Sequence, residues 1–194
     1  NIVPPGDIRN ILVAMSHVDP AITQVMQYRF NAKDDFFAKH AVGNLIIAAM
    51  TEMHGNIFDA VQYLAKFMRV RGRIYPVSNE PLILHAEFKD GEVIAGESEI
   101  THAHKVIDHV WVTGDEPGEA PKAAPEVVQA ILDADMIVYG PGSLFTSILP
   151  NVVVPEVNEA LRLTQAKQVY ISNIMTQKGE TDAYTDAQHL LALN

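Results

Sequence analysis

The hydrophobic positions of the chain change their period along its length. In the first third, apolar residues recur at intervals of three and four, which is the period of an amphipathic helix. The pattern predicts four helices, of which the third is largely buried: residues 7–15, 20–30, 41–55 and 56–68. Asp7, Asp19 and Asn56 are the predicted N-caps, and Gly55 is the predicted end of the third helix.

In the middle of the chain the apolar runs become short and strand-like. Residues 82–88 and 92–100 flank a Lys-Asp-Gly tripeptide, and residues 106–112 form a further run. Asp-Gly between two such runs predicts a β-hairpin closed by a type I′ turn, in which both central residues have positive φ.

The last third alternates strand and helix. A helix over 126–134 precedes a strand at 136–140, a helix at 155–166 and a strand at 167–175; Thr185 and Gln188 form a capping box for a closing helix. Strand-helix-strand order with short connections predicts parallel strands with a right-handed crossover. We therefore predict one α/β domain over residues 1–194, with a mostly parallel sheet and a β-hairpin insertion.

Composition narrows the class of protein. The 194 residues are 48% hydrophobic, which suits a globular domain, and no apolar run reaches the roughly 18 residues of a membrane span. The net charge of −10 argues against a non-specific nucleic-acid binder. The lack of cysteine excludes disulfides and favours a cytoplasmic location. The opening "NIVPPGDIRN", without Met, predicts an internal piece of a longer protein.

The stretch "VYGPGSLFTS" carries the first candidate site. An apolar strand ends at a Gly-Pro-Gly-Ser sequence, where ligands bind in open parallel sheets. Glycines let a backbone approach a ligand, and a helix starting near the serine presents amides to an anion. The alternative, an ordinary strand-to-helix turn, is about equally supported. The candidate ligand-binding residues are Gly140, Gly142, Ser143, Thr146 and Ser147.

Three other segments hold polar residues beside a turn. "PPGDIRN" could bind a phosphate or a base edge, although Asp7 is more simply explained as a helix cap. "HAVGN" could bind a ligand or could equally be a packing site around its glycine. "SNIMTQKGET" follows the last strand at the expected ligand edge but could be only a loop. The candidate ligand-binding residues are Gly6, Asp7, Arg9, Asn10, His40, Gly43, Asn44, Asn173, Thr176 and Gln177, and Thr181 belongs to the last polar cluster.

The sequence assigns no catalytic residue and no metal ligand. His102, His104 and His109 have no carboxylate or thiolate partner at a recurring offset, and the strand–helix junctions lack the G-x-G-x-x-G pattern of dinucleotide binding. A nucleophile and base at a recognisable spacing are also missing.

Four segments in order resemble one family: "PPGDIRN", "HAVGNLIIAAMTE", "VYGPGSLFTSILPNVVVPEV" and "SNIMTQKGETDAYTDAQHL". The chain resembles the bacterial gluconeogenesis factor family, within the CofD-like superfamily of 2-phospho-L-lactate transferase. The resemblance implies a Rossmann-like three-layer α/β sandwich. It also indicates that the family's N-terminal glycine-rich strand-turn-helix, with its first phosphate-binding loop, is absent from this chain.

The resemblance implies a function as well. The gluconeogenesis branch is cytoplasmic, binds UDP-N-acetylglucosamine and supports cell shape and wall synthesis on gluconeogenic carbon sources. The transferase branch moves a phospholactyl group from a guanosine diphosphate carrier to a deazaflavin, with magnesium. The resulting expectation is a nucleotide-sugar-binding regulator, with homo-oligomers and cell-wall synthesis proteins as partners; a transferase with magnesium as its cofactor is the alternative.

Overall fold

The computed structural model describes residues 6–30, 40–114, 120–182 and 184–193. The chain divides into two compact units, Asn1–Asn79 and Glu80–Asn194. The mixture of helices and small sheets confirms an α/β fold. That the whole chain is one domain stays a prediction.

Unit 1 is built from helices α1 (Gly6–Ala14), α2 (Pro20–Gln27), α3 (Val42–His54) and α4 (Ile57–Phe67). Their amphipathic faces meet in one core, as the helical period predicts. The buried members of that core are Leu12, Met26, Ile47, Ile57, Val61, Leu64, Ala65, Met68 and Ile74. The helical period of residues 57–68 places Ile57, Val61, Leu64 and Met68 on one face, and all four are buried. Helix α3 buries only Gly43 and Ile47 and is therefore less enclosed than predicted.

Three of the predicted helix ends in unit 1 are confirmed. The Asp19 side chain accepts a hydrogen bond from the amide of Ala21 at 2.8 Å, and Asn56 accepts one from the amide of Asp59 at 2.8 Å. Gly55 ends α3 with φ of 83°, a left-handed conformation that glycine adopts without strain. The cap assigned to Asp7 is wrong, because α1 begins at Gly6 and Asp7 lies inside its first turn.

Unit 2 contains a three-stranded antiparallel sheet of β1 (Leu82–Phe88), β2 (Val93–Ala95) and β3 (Ile107–Gly114), in the order β2-β1-β3. The hairpin is confirmed, but its turn type is wrong. Among the loop residues 89–91, only Gly91 has positive φ, at 84°. The amide of Gly91 donates to the carbonyl of Phe88 at 2.8 Å, and the amide of Phe88 donates to the carbonyl of Glu92 at 2.9 Å. A three-residue loop with glycine in the left-handed position therefore replaces the type I′ turn.

The strand predicted over residues 92–100 is also corrected. β2 ends at Ala95, and residues Glu97–Ala103 form helix α5. Gly96, with φ of 101°, breaks the strand, and Ile100 becomes the buried residue of the helix. A single apolar residue after a glycine carries too little periodicity to distinguish the two structures.

The last third of unit 2 alternates strand and helix as predicted. Helix α6 (Pro125–Leu132) precedes β4 (Met136–Tyr139). A π-helical turn (Leu144–Ile148) runs into α7 (Leu149–Val152), and α8 (Pro155–Leu163), β5 (Lys167–Tyr170) and α9 (Asp186–Ala192) follow. The capping box of Thr185 and Gln188 is confirmed.

β4 and β5 pair in parallel, from Met136 opposite Lys167 to Tyr139 opposite Tyr170, which confirms the predicted pairing. This sheet has two strands in the described part of the chain, and β5 is shorter than predicted. The larger described sheet is antiparallel, so the described strands do not form the mostly parallel sheet of the sequence prediction.

Candidate functional site

The candidate site of unit 2 lies where β4 and β5 end. We call residues 140–147 the turn and residues 171–182 the loop. Because the two strands are parallel neighbours, their carboxyl ends lie side by side, and the amide of Ile171 still donates to the carbonyl of Tyr139 at 2.9 Å. The turn and the loop therefore start next to each other, on the edge of the sheet where ligands bind in such folds.

Gly140 is required by the backbone at this point. Its φ is 85°, and a Cβ atom there would lie 3.0 Å from the carbonyl oxygen of Ile171. Both conditions disfavour any other residue. Gly142 differs, since a Cβ there would meet only Ser147 and Ile148 at 3.6 and 3.8 Å, which is ordinary contact. The local fold leaves room at Gly142 for a side chain or for a ligand.

The side chains of the loop are bonded directly to the turn. Asn173 Nδ2 donates to the carbonyl of Gly142 at 2.8 Å and to Gln177 Oε1 at 3.3 Å. Gln177 Nε2 in turn donates to Ser143 Oγ at 2.7 Å. The structure thus brings Asn173 and Gln177 of the loop onto Gly142 and Ser143 of the turn, which lie 31 and 34 residues earlier in the sequence.

The helix predicted after Ser143 is confirmed, in the form of the π-helical turn. Ser143 stands at its N-cap position, and its carbonyl accepts from the amides of Ser147 and Ile148 at 3.0 and 2.9 Å. Ser147 is half-buried, and Thr176 lies exposed in the loop.

A buried carboxyl group adjoins the start of this helix. Thr146 Oγ1 donates to Glu180 Oε1 at 2.9 Å, and Glu180 is only 5% exposed. Burial raises the pKa of Glu180, opposed in part by the hydroxyl of Thr146 and the nearby amides of Phe145 and Thr146. Glu180 Oε2 has no hydrogen-bond partner among the described residues. Burial penalises the ionised form of this carboxyl group relative to that of an exposed glutamate, because ionising it here means burying a charge.

Sequence reasoning did not single out Glu180. Acidic residues in polar loops are usually exposed, and "KGETD" contains nothing that marks one of its two acids as buried. Its neighbour Thr181, which the sequence did include in the polar cluster, is 1% exposed. The usable signal was position alone, since Glu180 follows the polar residues of a strand end.

The candidate residues of unit 1 form a separate cluster on α1 and α3. Arg9 Nη1 donates to Asn44 Oδ1 at 3.0 Å, and Arg9 Nη2 donates to Asn10 Oδ1 at 2.8 Å. Arg9 is 7% exposed, and burial, followed by the charge of Arg29, lowers its pKa. A Cβ atom at Gly43 would lie 2.6 Å from the carbonyl oxygen of Met26 and 2.9 Å from the Arg9 stem, so Gly43 serves close packing here.

Three candidate residues of unit 1 remain, and the charge of one of them, Asp7, acts on Arg9 and partly opposes the lowering of its pKa. Asp7 and His40 are exposed, and Gly6 is half-buried. A Cβ at Gly6 would meet nothing within 4 Å, so local space does not demand glycine there. That the residues of the two units share one cleft stays a prediction, as does a ligand role for each of them.

The described part of the chain lacks a cluster of metal-ligating side chains and a helix of membrane-spanning length. Among the described residues, His, Asp and Glu side chains form no group of three or more that could hold a metal ion. The described helices include none that is long and apolar enough to cross a membrane.

Comparison with known proteins identifies the family. The sequence profile described as "2-phospho-L-lactate transferase CofD" matches residues 1–194. A Streptococcus pyogenes serotype M3 protein named "Putative gluconeogenesis factor" is 54% identical over 193 residues, covering 100% of this chain and 59% of that protein. The "Gluconeogenesis factor" of Bacillus subtilis is 47% identical over 193 residues, covering 100% of this chain and 59% of that protein.

A solved structure agrees with these relatives. The crystal structure of a Bacillus halodurans protein superposes with a TM-score of 0.91 at 45% identity, covering 98% of this chain and 60% of that one. The chain thus spans about three-fifths of the length of the relatives that it matches. With a profile match over its whole length and relatives near 50% identity, the chain belongs to the CofD family.

Proposed function

We propose that the intact protein is a nucleotide-sugar-binding regulator that takes UDP-N-acetylglucosamine and supports cell shape and wall synthesis on gluconeogenic carbon sources. The observation that carries the proposal is the bonded turn and loop at the carboxyl ends of β4 and β5. There Ser143, Asn173 and Gln177 supply uncharged hydrogen-bonding groups in a member of the CofD family. A serine hydroxyl among neutral groups of this kind suits both a diphosphate and the hydroxyls of a sugar.

The diphosphate is assigned to the stretch from Gly140 to Ser143. Gly142 has space for a ligand beside the backbone, and the start of a helix favours negative charge. The carboxyl of Glu180 already lies near the amides of Phe145 and Thr146. The phosphates would therefore use the earlier part of the turn, before the helix begins.

Binding to Gly142→Val tests this placement. The variant puts a branched side chain where the phosphates approach, while its Cβ meets neighbours only at ordinary contact distance. We expect calorimetry on the intact protein to show at least about tenfold weaker binding of UDP-N-acetylglucosamine, equivalent to about 1.4 kcal/mol. Ala130→Val, on the exposed side of α6, is the control. Unchanged affinity in a folded Gly142→Val protein would place the diphosphate elsewhere.

A regulator is favoured over an enzyme by the partner of Ser143. Its hydroxyl oxygen accepts from the amide of Gln177, and an amide is no base that could remove the serine proton. Incubating the intact protein with UDP-N-acetylglucosamine and looking for product tests this. Binding without turnover supports the regulator, and turnover contradicts it.

The alternative is a transferase of the 2-phospho-L-lactate kind, which the description of the matching family favours. Product from a guanosine diphosphate-linked phospholactyl donor and a deazaflavin acceptor would establish it. Magnesium is the cofactor of that alternative. Among the described residues no group of three metal-ligating side chains is present, and in that alternative the phosphates of the donor would supply further ligands to the ion.

The proposal extends to the setting of the intact protein. It is a cytoplasmic, single-domain protein with a Rossmann-like three-layer sandwich and a mostly parallel sheet, which forms homo-oligomers and contacts cell-wall synthesis proteins. The 45% identical crystal structure is longer than this chain, which covers 60% of it, so the three-layer sandwich is proposed for the intact protein rather than for this chain alone. Light scattering of the intact protein tests the oligomer.

A further inference from the structure

Three side chains between the loop and the turn form a hydrogen-bond relay with a fixed direction. It runs from Asn173 to Gln177 to Ser143, and its first member is also bonded to the carbonyl of Gly142. Side-chain amides can face either way, so the direction of such a relay must come from a group with only one role.

The carbonyl of Gly142 is that group. A carbonyl oxygen only accepts, so the NH₂ of Asn173 must face it. The same NH₂ has a second hydrogen, which points to Gln177 and requires that Gln177 present its oxygen. Gln177 is then turned so that its own NH₂ faces Ser143 Oγ at 2.7 Å. The orientation of all three side chains follows from one backbone carbonyl.

The orientation of Gln177 determines the role of the Ser143 hydroxyl. Its oxygen accepts from Gln177, so its single hydrogen is left to donate to another group. A phosphate oxygen at pH 7 only accepts, and a bond to a charged acceptor is stronger than one to a neutral acceptor. A serine held in this state matches an anionic ligand.

The backbone that carries Gln177 is itself held in place. Its amide donates to Thr181 Oγ1 at 2.9 Å, and its carbonyl accepts from the amides of Glu180 and Thr181 at 3.1 and 2.9 Å. Thr181 is almost fully buried. The backbone of Gln177 therefore belongs to a turn closed by hydrogen bonds, which limits the freedom of this residue to reorient.

We propose that Asn173 and Gln177 are positioning residues that hold the Ser143 hydroxyl as a hydrogen-bond donor toward an anionic oxygen of the ligand. The inference rests on the proposed nucleotide-sugar function and deepens it. It assigns the direct contact to Ser143 and an indirect role to the two amides.

A double-mutant cycle on the intact protein tests the relay, with UDP-N-acetylglucosamine as the probe. We expect Ser143→Ala and Gln177→Met each to weaken binding about ten- to hundredfold, the range for a hydrogen bond to a charged group. In the Ser143→Ala background, Gln177→Met should change affinity by less than about twofold, because its effect passes through the missing hydroxyl. Gln129→Met, the same exchange at an exposed position of α6, should leave affinity unchanged.

Gln177→Glu adds a readout that a purely structural role would not move. An ionised carboxylate at this position only accepts, so Ser143 would donate to it and lose its donor for the ligand. A protonated carboxyl can donate to Ser143 as the amide does. Each affinity is compared with that of wild type at the same pH, because Glu180 titrates in both proteins. On this scale the affinity of Gln177→Glu should recover as pH falls, whereas that of Gln177→Met should not.

The outcomes separate the relay from the proposed function. Additive effects of the two substitutions, or a pH-independent deficit in Gln177→Glu, overturn the relay. If Ser143→Ala binds the probe as tightly as wild type does, the relay is overturned, while the nucleotide-sugar function stands. Failure of the wild-type protein to bind the probe overturns both.

Discussion

The two clusters of candidate residues use polar groups in different ways. In unit 1, Arg9 is buried between helices and both of its terminal nitrogens donate to neighbouring asparagines. In unit 2, the bonded groups lie on a turn and a loop that follow strands, and Gly142 leaves space beside them. The first cluster is tied to helix packing, whereas the second combines a held serine with room for a ligand.

The glycines of the two clusters show the same contrast. Gly43 lies within α3, where an added Cβ would collide with the backbone of α2 and the stem of Arg9. Gly142 lies after a strand, where an added Cβ makes ordinary contacts. A glycine next to polar residues in the sequence therefore has two distinct meanings, and stability and affinity measurements separate them.

The largest effect on stability is expected for Gly43→Ala. Its methyl group would come within 2.6 Å of the carbonyl oxygen of Met26, a backbone atom that moves only with α2. Overpacking of this kind costs about 1–3 kcal/mol or more, well above the gain in helix propensity. Urea unfolding of the variant measures the loss. A variant as stable as wild type would show that α2 and α3 adjust freely, and would remove the packing interpretation of this cluster.

Arg9→Met should give the next largest loss. It keeps much of the apolar stem but removes the donors to Asn44 and Asn10, leaving the half-buried oxygen of Asn44 without the Arg9 donor. A lost partner of this kind costs about 1–3 kcal/mol in unfolding free energy. Asn10→Ala removes the acceptor of Arg9 Nη2 but leaves the bond to Asn44 in place, and because Asn10 is exposed, water can replace its oxygen, so this variant should lose less stability than Arg9→Met. Equal effects of the two substitutions would contradict a role for burial.

Local signals in the sequence predicted much of this fold. The caps at Asp19 and Asn56 and the capping box at Thr185 depend on neighbours within four residues, and all three are confirmed. The rule that parallel strands end at one edge of a sheet also predicted the meeting of the turn and the loop. It does so because it needs only the strand order.

Features that depend on distant contacts could not be predicted in this way. The burial of Glu180 requires Thr146, 34 residues earlier in the chain. The direction of the relay requires the carbonyl of Gly142 to meet Asn173, 31 residues later. The predicted type of the hairpin turn was wrong for a different reason. Asp-Gly fits both a type I′ turn and a three-residue loop, and only the backbone geometry distinguishes them.

Glu180→Gln should have a smaller effect that depends on pH. Because burial raises the folded-state pKa of Glu180, its neutral form contributes stability that is complete below the ordinary pKa of glutamate and is lost as pH rises through the folded-state value. The glutamine is neutral throughout. From about pH 4 to about pH 8, unfolding experiments should show the variant gaining stability relative to wild type. Parallel stability curves would mean that Glu180 titrates as it does in the unfolded chain.

The smallest effect on stability is expected for Gly142→Ala, the counterpart of Gly43→Ala in unit 2. Gly142 lies outside the left-handed region, and the nearest atoms to an added Cβ are 3.6 Å away. The unfolding free energy should stay within about 0.5 kcal/mol of wild type, or rise slightly because alanine restricts the unfolded chain. Affinity for UDP-N-acetylglucosamine should nevertheless fall, and less than in Gly142→Val, because the methyl group is smaller than the branched side chain. A loss of stability as large as that of Gly43→Ala would contradict the contrast between the two clusters, since both glycines would then serve packing.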